Sequence, residues 1–319
     1  MTKVVVSELR KHEKYERLVG AAKRLPPLPA AVVHPCDETS LRGALEAAEA
    51  NLIIPILVGP KNKILDVARS LGISVEEFEL VDVPHSQAAA DKAVELVRAG
   101  RAELLMKGSL HSDELLGAVT KRETGLRTSR RISHVFVMDV PTHPQTLFIT
   151  DAAVNIAPDL TAKRDIIQNA IDLYVGLGLG TPKVAILSAV ETVNPSIPST
   201  IDAAALCKMA DRGQITGGEL DGPLAFDNAI SSEAARIKGI KSAVAGRAQI
   251  LVAPDLEAGN MLAKNLTFIS KADAAGIVLG ARVPIILTSR ADNVRTRMAS
   301  SAVAMLLAHS RRANQPIRT

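Results

Sequence analysis

Ile53-Ile54-Pro55-Ile56-Leu57-Val58-Gly59-Pro60, followed at once by Lys61-Asn62-Lys63-Ile64-Leu65-Asp66-Val67-Ala68-Arg69-Ser70-Leu71, sets an apolar run, a Gly-Pro stop and a helical pattern in succession. The unit recurs on both sides. Upstream, Ala30–His34 is a short buried run and Thr39–Ala50 is helical. Downstream, a strand at Phe78–Val83 leads to a helix at Ser86–Gly100, and a strand at Ala102–Met106 leads to a helix starting near Ser112. Such alternation predicts parallel strands joined by right-handed crossovers, hence an α/β fold. Ahead of it, residues 4–24 read as an amphipathic helix, stopped at Leu25-Pro26-Pro27-Leu28-Pro29 because proline cannot continue a helix.

After Arg131 the pattern changes. Strands at His134–Val140 and Thr146–Thr150 are separated only by Pro141-Thr142-His143-Pro144, which predicts a turn and an antiparallel pair. Helices then alternate with strands again, with strands at Lys183–Ser188, Gly218–Gly222, Gln249–Val252 and Pro284–Leu287 and a long terminal helix at Val294–Ala313.

The 319 residues suit one large or two medium domains. With no Trp, two Tyr and five Phe, the core must be built from Ala, Val, Ile and Leu, as in parallel sheets buried on both faces. A net charge of +4 is too small an excess, and the stackable rings too few, for a nucleic-acid surface. Cys36 and Cys207 form no CxxC or metal pattern and read as free thiols in a reducing compartment. No stretch reaches the roughly 20 apolar residues of a membrane span, and the charged N-terminus lacks a signal-peptide core. A cytoplasmic protein without membrane contact is expected.

Ligands of open α/β sheets bind beyond the carboxyl ends of the strands, which singles out four segments. In Lys107-Gly108-Ser109-Leu110-His111 a strand ends and a helix begins; free N–H groups at such a start, with Lys107, suit an anion, and Ser109 and His111 are further donors. An ordinary capped turn explains the same residues. In Asp151-Ala152-Ala153-Val154-Asn155, the Asp and Asn either build their own turn or face a ligand. Asp221-Gly222-Pro223 ends a strand and changes its direction. In Thr288-Ser289-Arg290-Ala291-Asp292, Arg290 is the preferred fork for phosphate, while Asp292 either takes a proton or caps the last helix. Nucleotide and hydrolase signatures such as GxxxxGK[ST], HExxH and GxSxG are absent, and the seven His lack metal-ligand spacing.

Taken in order, Leu220-Asp221-Gly222-Pro223-Leu224-Ala225-Phe226-Asp227, Val244-Ala245-Gly246-Arg247-Ala248, Ala253-Pro254-Asp255-Leu256-Glu257-Ala258-Gly259-Asn260-Met261-Leu262-Ala263-Lys264 and Leu287-Thr288-Ser289-Arg290-Ala291-Asp292 resemble the phosphate acetyltransferase and butyryltransferase family. Arg131-Ile132-Ser133-His134 and the run from Phe148 to Pro158 resemble its butyryl-like subgroup, which includes the phosphotransacylase part of bifunctional enoyl-CoA hydratase proteins. The resemblance covers most of the chain beyond Ala102.

The resemblance implies an isocitrate/isopropylmalate dehydrogenase-like fold of two α/β domains, 1–131 plus 281–319 and 132–280, with a cleft between them and a homodimer. It implies acyl-CoA and inorganic phosphate as substrates, with no permanently bound cofactor and no metal. Ser289 and Arg290 match the Ser-Arg pair that contacts coenzyme A and phosphate. The acetyltransferase base lies seven residues after that serine, where this chain has Thr296, so Asp292 is the replacement candidate. No arginine follows His111-Ser112-Asp113 at the family distance; Arg127, Arg130 and Arg131 are the substitutes. Lys107, Gly108, Ser109, His111, Asp151, Asn155, Asp221, Asn260 and Lys264 make up the expected substrate-binding set. An acyl carrier protein-dependent phosphate acyltransferase, an acyl-CoA-binding relative without turnover and a dehydrogenase on the same scaffold are the alternatives; the last needs a carboxylate cluster that the sequence does not offer.

Overall fold

A computed structural model describes residues 12–287 and 294–313. The first half runs α1 (Glu13–Ala22), β1 (Leu28–Val33), α2 (Glu38–Glu49), β2 (Ile53–Gly59), α3 (Lys61–Leu71), β3 (Glu79–Asp82), α4 (Ser86–Arg98), β4 (Leu104–Lys107) and α5 (Ser112–Thr120). The second runs β5 (Ser133–Asp139), β6 (Leu147–Thr150), α6 (Leu160–Gly176), β7 (Lys183–Leu187), α7 (Pro198–Asp211), β8 (Glu219–Leu224), α8 (Phe226–Ile230), α9 (Ser232–Ile237), β9 (Ile250–Val252), α10 (Leu256–Phe268), β10 (Asp273–Leu279), β11 (Ile285–Ile286) and α11 (Val294–Ala313). The expected alternation is therefore present, and β5 and β6 pair antiparallel as their short turn predicts.

Among the described residues, eleven strands join one sheet in the order β3-β2-β1-β4-β11-β10-β5-β6-β9-β7-β8. β3, β2, β1, β4 and β11 are mutually parallel. β10 runs antiparallel to both β11 and β5, and β6, β9, β7 and β8 run parallel to one another. The two ends of the sheet thus point their strands in opposite directions. β8 does not stop at Gly222: it continues through a cis Gly222-Pro223 bond to Leu224. Proline is tolerated there because β8 is an edge strand, where a missing N–H breaks no ladder on the outer side.

Helices cover both faces, but unequally. On one face a continuous apolar cluster joins Leu18 of α1, Leu41 of α2, Ile64 of α3, Ile167 of α6, Leu206 of α7 and Val303 of α11 to the whole sheet. On the other face there are two separate clusters. One lies under α4 and α5, with Leu105, Leu115, Val278 and Ile285. The other lies under α8 to α10, with Met138, Ile149, Leu251 and Ala263. The apolar layer on this face is interrupted near the middle of the sheet.

α1 is bolted to the middle strands by charge as well as by packing. Lys14 Nζ pairs with Asp139 at 2.9 Å, both side chains being buried, and donates to the carbonyls of Val140 and His143 at 2.9 and 2.6 Å. The Tyr15 N–H donates to the same carboxylate at 2.9 Å, and His12 pairs with Asp273. Removing one partner of a buried pair strands the other charge, so Asp139→Ala should lower unfolding free energy by about 3–5 kcal/mol in urea titration. Replacing both with apolar residues, Lys14→Met with Asp139→Leu, should cost far less; equal losses for the single and double variants would show that the pair itself contributes nothing.

Candidate functional site

The interruption coincides with the ends of the central strands. Side chains alternate along a strand: Leu104 and Met106 belong to the continuous face and Leu105 to the interrupted one, so Lys107 emerges on the interrupted face. It is buried, and its Nζ lies 3.4 Å from the Gly108 carbonyl. Met106 registers with Ile286, so Lys107 stands beside Leu287 at the end of β11. Ser289, Arg290 and Asp292 follow Leu287 in sequence and lie outside the described residues, as does Thr288. Thr296 is buried in the first turn of α11, where its carbonyl accepts from Ser300 Oγ at 2.7 Å.

The turn after β4 is tied to the end of β1. Gly108 N–H donates to Val33 O, and Ser109 N–H to His34 O, both at 2.9 Å. A Cβ on Gly108 would lie 2.3 Å from Val33 O, so only glycine permits this approach. The Ser109 hydroxyl donates to His34 O at 2.7 Å and accepts from Cys36 N–H at 3.2 Å. His34 Nδ1 lies 3.0 Å from the same hydroxyl, and burial followed by nearby Lys63 pushes the His34 pKa down. Ser109 therefore spends its described contacts on the loop between β1 and α2. His111 is exposed and opens α5, its N–H donating to Glu114 Oε2 at 2.8 Å. Both thiols are free, and burial raises their pKa, Cys36 to about 11 and Cys207 to about 12.

The second segment is a turn built around its own aspartate. Buried Asp151 accepts from the N–H groups of Ala153, Val154 and Asn155 at 3.0, 3.0 and 3.2 Å, and from Asn155 Nδ2. Asn155 also donates to Ile132 O and accepts from Arg131 Nε, each at 2.8 Å. Val154 reaches across to the cluster under α4 and α5. α10 seals the turn from the other side. Asp255 caps it by accepting from Ala258 N–H, and Asn260 Nδ2 donates to Ala152 O at 3.0 Å. Lys264 lies two turns along, exposed. Of the candidate arginines, Arg131 is held at this turn, Arg130 is drawn to Asp172, and Arg127 lies in a bridge with Ala281.

Lys107, the end of β11 and the Asp151 turn are thus gathered on one face. Asp221 is not: it sits on β8, seven strands from β4, where its carboxylate accepts from Gly222 N–H at 2.8 Å. His134, part of the Arg131-Ile132-Ser133-His134 run, is a residue to which sequence reasoning gave no role in the site. It is fully buried on β5, its ring edge-to-face with Phe136 at 4.4 Å between centroids. Its signal was present in sequence, as a histidine directly before the apolar run Val135-Phe136-Val137-Met138. Burial drives its pKa down to about 4, with Asp151 opposing, so the ring is neutral near pH 7. Among the described residues no group of three or more His, Cys, Asp and Glu is arranged to hold a metal ion.

Comparison with known proteins agrees with this arrangement. The family model "Phosphate acetyl/butaryl transferase" matches residues 86–305. The chain is 72% identical to phosphate acetyltransferase of Rhizobium meliloti over 95% of its own length and 96% of that protein's. It superposes on a branched-chain phosphotransacylase from Enterococcus faecalis V583 with a TM-score of 0.78 and 31% identity, covering 88% of this chain and 99% of the other. A 4-hydroxythreonine-4-phosphate dehydrogenase from Burkholderia phymatum shares the fold alone, with a TM-score of 0.56 and 12% identity over 89% of this chain and 98% of that one. A match spanning β4, the Asp151 turn, α10 and β11, together with near full-length identity to a named acyltransferase, makes this chain a member of the phosphate acetyl/butyryl transferase family.

Proposed function

We infer that the chain interconverts acyl-CoA and inorganic phosphate with acyl phosphate and coenzyme A. One observation carries the reading: buried Lys107 emerges beside the end of β11, on the face where the apolar layer is broken. In the direction of acyl-CoA synthesis, the coenzyme A thiol attacks the carbonyl of the acyl phosphate. The new C–S bond forms as the C–O bond to phosphate breaks, and the thiol proton passes to a carboxylate, for which Asp292 is our choice. Lys107 and Arg290 hold the phosphate, with Arg131 as the second arginine. Ser289 stabilises the tetrahedral oxyanion. Holding both reactants together supplies ~7–11 kcal/mol of the barrier. Near full-length identity to a phosphate acetyltransferase favours turnover over mere acyl-CoA binding, and the resemblance to that family and to a branched-chain phosphotransacylase points to a short acyl chain.

The same reading takes 1–131 with 281–319 as one unit and 132–280 as the other, in the manner of the isocitrate and isopropylmalate dehydrogenases. The separation of the two clusters on one face supports a cleft between them. It also makes the protein a cytoplasmic homodimer without a resident cofactor. Met261, Phe268 and Ile269 along α10 are 65–75% exposed, more apolar surface than a solvated helix requires, and suit contact with a second copy.

Thiol release from acetyl-, propionyl- and butyryl-CoA, with and without phosphate, tests the activity. Release should depend on phosphate and favour one chain length. Arg290→Ala should lower turnover by about 10²–10³-fold, as for loss of one charge-stabilising donor. Asp292→Asn should lower it by roughly 10²–10⁴-fold. Wild-type rates in either variant would remove that residue from the mechanism. For the assembly, Phe268→Asp with Ile269→Asp should yield monomers in sedimentation velocity where the wild type sediments as a dimer; an unchanged dimer would move the interface elsewhere.

A further inference from the structure

His134 occupies the point where the apolar layer breaks. On β5, His134, Phe136 and Met138 alternate with Ser133, Val135 and Val137, and the latter two valines join the continuous cluster on the opposite face. On β10, Val278 belongs to the cluster under α4 and α5, while Ala274 belongs to the cluster under α8 to α10. Gly276 lies between them. A Cβ on Gly276 would fall 2.7 Å from Leu287 O and 3.2 Å from His134 Nε2. The imidazole thus leans into the space that a side chain at 276 would fill, next to the carbonyl of the residue that leads into Thr288-Ser289-Arg290.

The row across the sheet at this level is Lys107, Leu287, Gly276 and Phe136, set by the pairs Met106–Ile286, Ile277–Ile286 and Gly276–Phe136. Strands lie roughly 4.8 Å apart, so β4 and β10 are separated by about 10 Å, the scale of an acyl phosphate with its contacts. Lys107 bounds that interval on one side; at the other, His134, one strand further on and in the row of Leu105, Ile285 and Val278, reaches Gly276 with its ring.

The imidazole has no hydrogen bond from either nitrogen among the described residues, and Nδ1 is sealed from solvent without a partner. Buried polar atoms in folded proteins are almost always paired, so an unpaired one facing a break in the core asks for an explanation. Nδ1 has no acceptor for a proton. The tautomer carrying its hydrogen on Nε2 leaves Nδ1 bare and turns a neutral donor toward Gly276 and the end of β11. A neutral donor suits a phosphate oxygen or a developing oxyanion across the working pH range, since it does not titrate there.

We propose that His134 is a substrate-binding residue of the acyl-transfer site, donating through Nε2–H to an oxygen of the bound acyl phosphate opposite Lys107. The proposal rests on the acyltransferase reading above. Wild type, His134→Phe, His134→Gln and His134→Asn are compared in the phosphate-dependent thiol-release assay, with thermal unfolding followed in parallel. His134→Phe keeps a flat ring and removes both nitrogens. It should retain the wild-type melting temperature within a few degrees and lose about 10²-fold in kcat/KM for phosphate. His134→Gln carries an amide donor near the position of Nε2 and should recover most of that loss. His134→Asn, whose amide reaches only the position of Nδ1, should not. A loss below tenfold in His134→Phe, or equal losses in the Gln and Asn variants, overturns the proposal. If His134→Phe does not fold, the Gln–Asn comparison decides alone, with a tenfold advantage for Gln expected and its absence counting against. A wild type without phosphate-dependent release would instead defeat the acyltransferase reading, so the two failures are distinct.

Discussion

The insertion of β11 between β4 and β10 holds the two halves of the molecule in one sheet. β11 is only two residues long, yet Ile285 and Ile286 pair in parallel with Leu105 and Met106 on one side and antiparallel with Val278 and Ile277 on the other. Both isoleucines are fully buried, Ile286 in the continuous cluster and Ile285 in the one under α4 and α5. So short a strand has few ladder bonds to offer, and side-chain burial on both faces replaces them. Where the ladder runs out, Gly276 N–H turns to Ser300 Oγ of α11 at 2.9 Å. The hydroxyl in turn donates to Thr296 O, so α11 completes what β11 is too short to provide.

The asymmetry of the two faces follows from this seam. Reversal of strand direction at β10 sends the crossovers of the two halves away from each other on one face, and α4 with α5 never meets α8 to α10 in a common apolar layer. On the other face α11 spans the seam, packing against α1, α2, α6 and β10. One side of the protein is thereby a continuous floor and the other is divided above it. A division of this kind gives two bound substrates a common wall without requiring a hole in the main core, where a void would cost roughly 24 cal/mol per Å³.

How much of this the sequence revealed depends on range. Strands followed by helices, from Ile53–Leu71 onward, are local patterns; the helix at Lys61–Leu71 was legible to the residue, and the expected terminal helix is helical throughout its described span. So was the antiparallel β5–β6 pair, because the five residues between Val140 and Thr146 leave no room for a crossover. Strand order was not legible, since the pairing of β11 with β4 joins residues about 180 apart and no local preference encodes it. The same limit applied to the site. Lys107 could be read as the polar end of an apolar strand, but whether Ser109 faced a ligand or the β1 loop depended on His34, 75 residues away. His134 passed as a strand residue, because its importance lies in Gly276 leaving space for the ring and in Nδ1 having no partner.

The division of labour among the motif residues has a physical logic. Asp151, Asn155, Asp255 and Asn260 spend described contacts on the local structure: Asp151 gathers three N–H donors, Asn155 links the Ile132 carbonyl to the Arg131 side chain, Asp255 caps α10 and Asn260 fastens the helix to the turn. Both oxygens of Asp151 are taken up by these donors, so the residue stiffens the turn that presents Arg131. In the proposed mechanism the chemistry then falls to fewer groups: Lys107, the neutral His134 imidazole and the residues after Leu287. The unpartnered His134 Nδ1 costs about 1–3 kcal/mol. Burial in the continuous apolar floor on the opposite face offsets it.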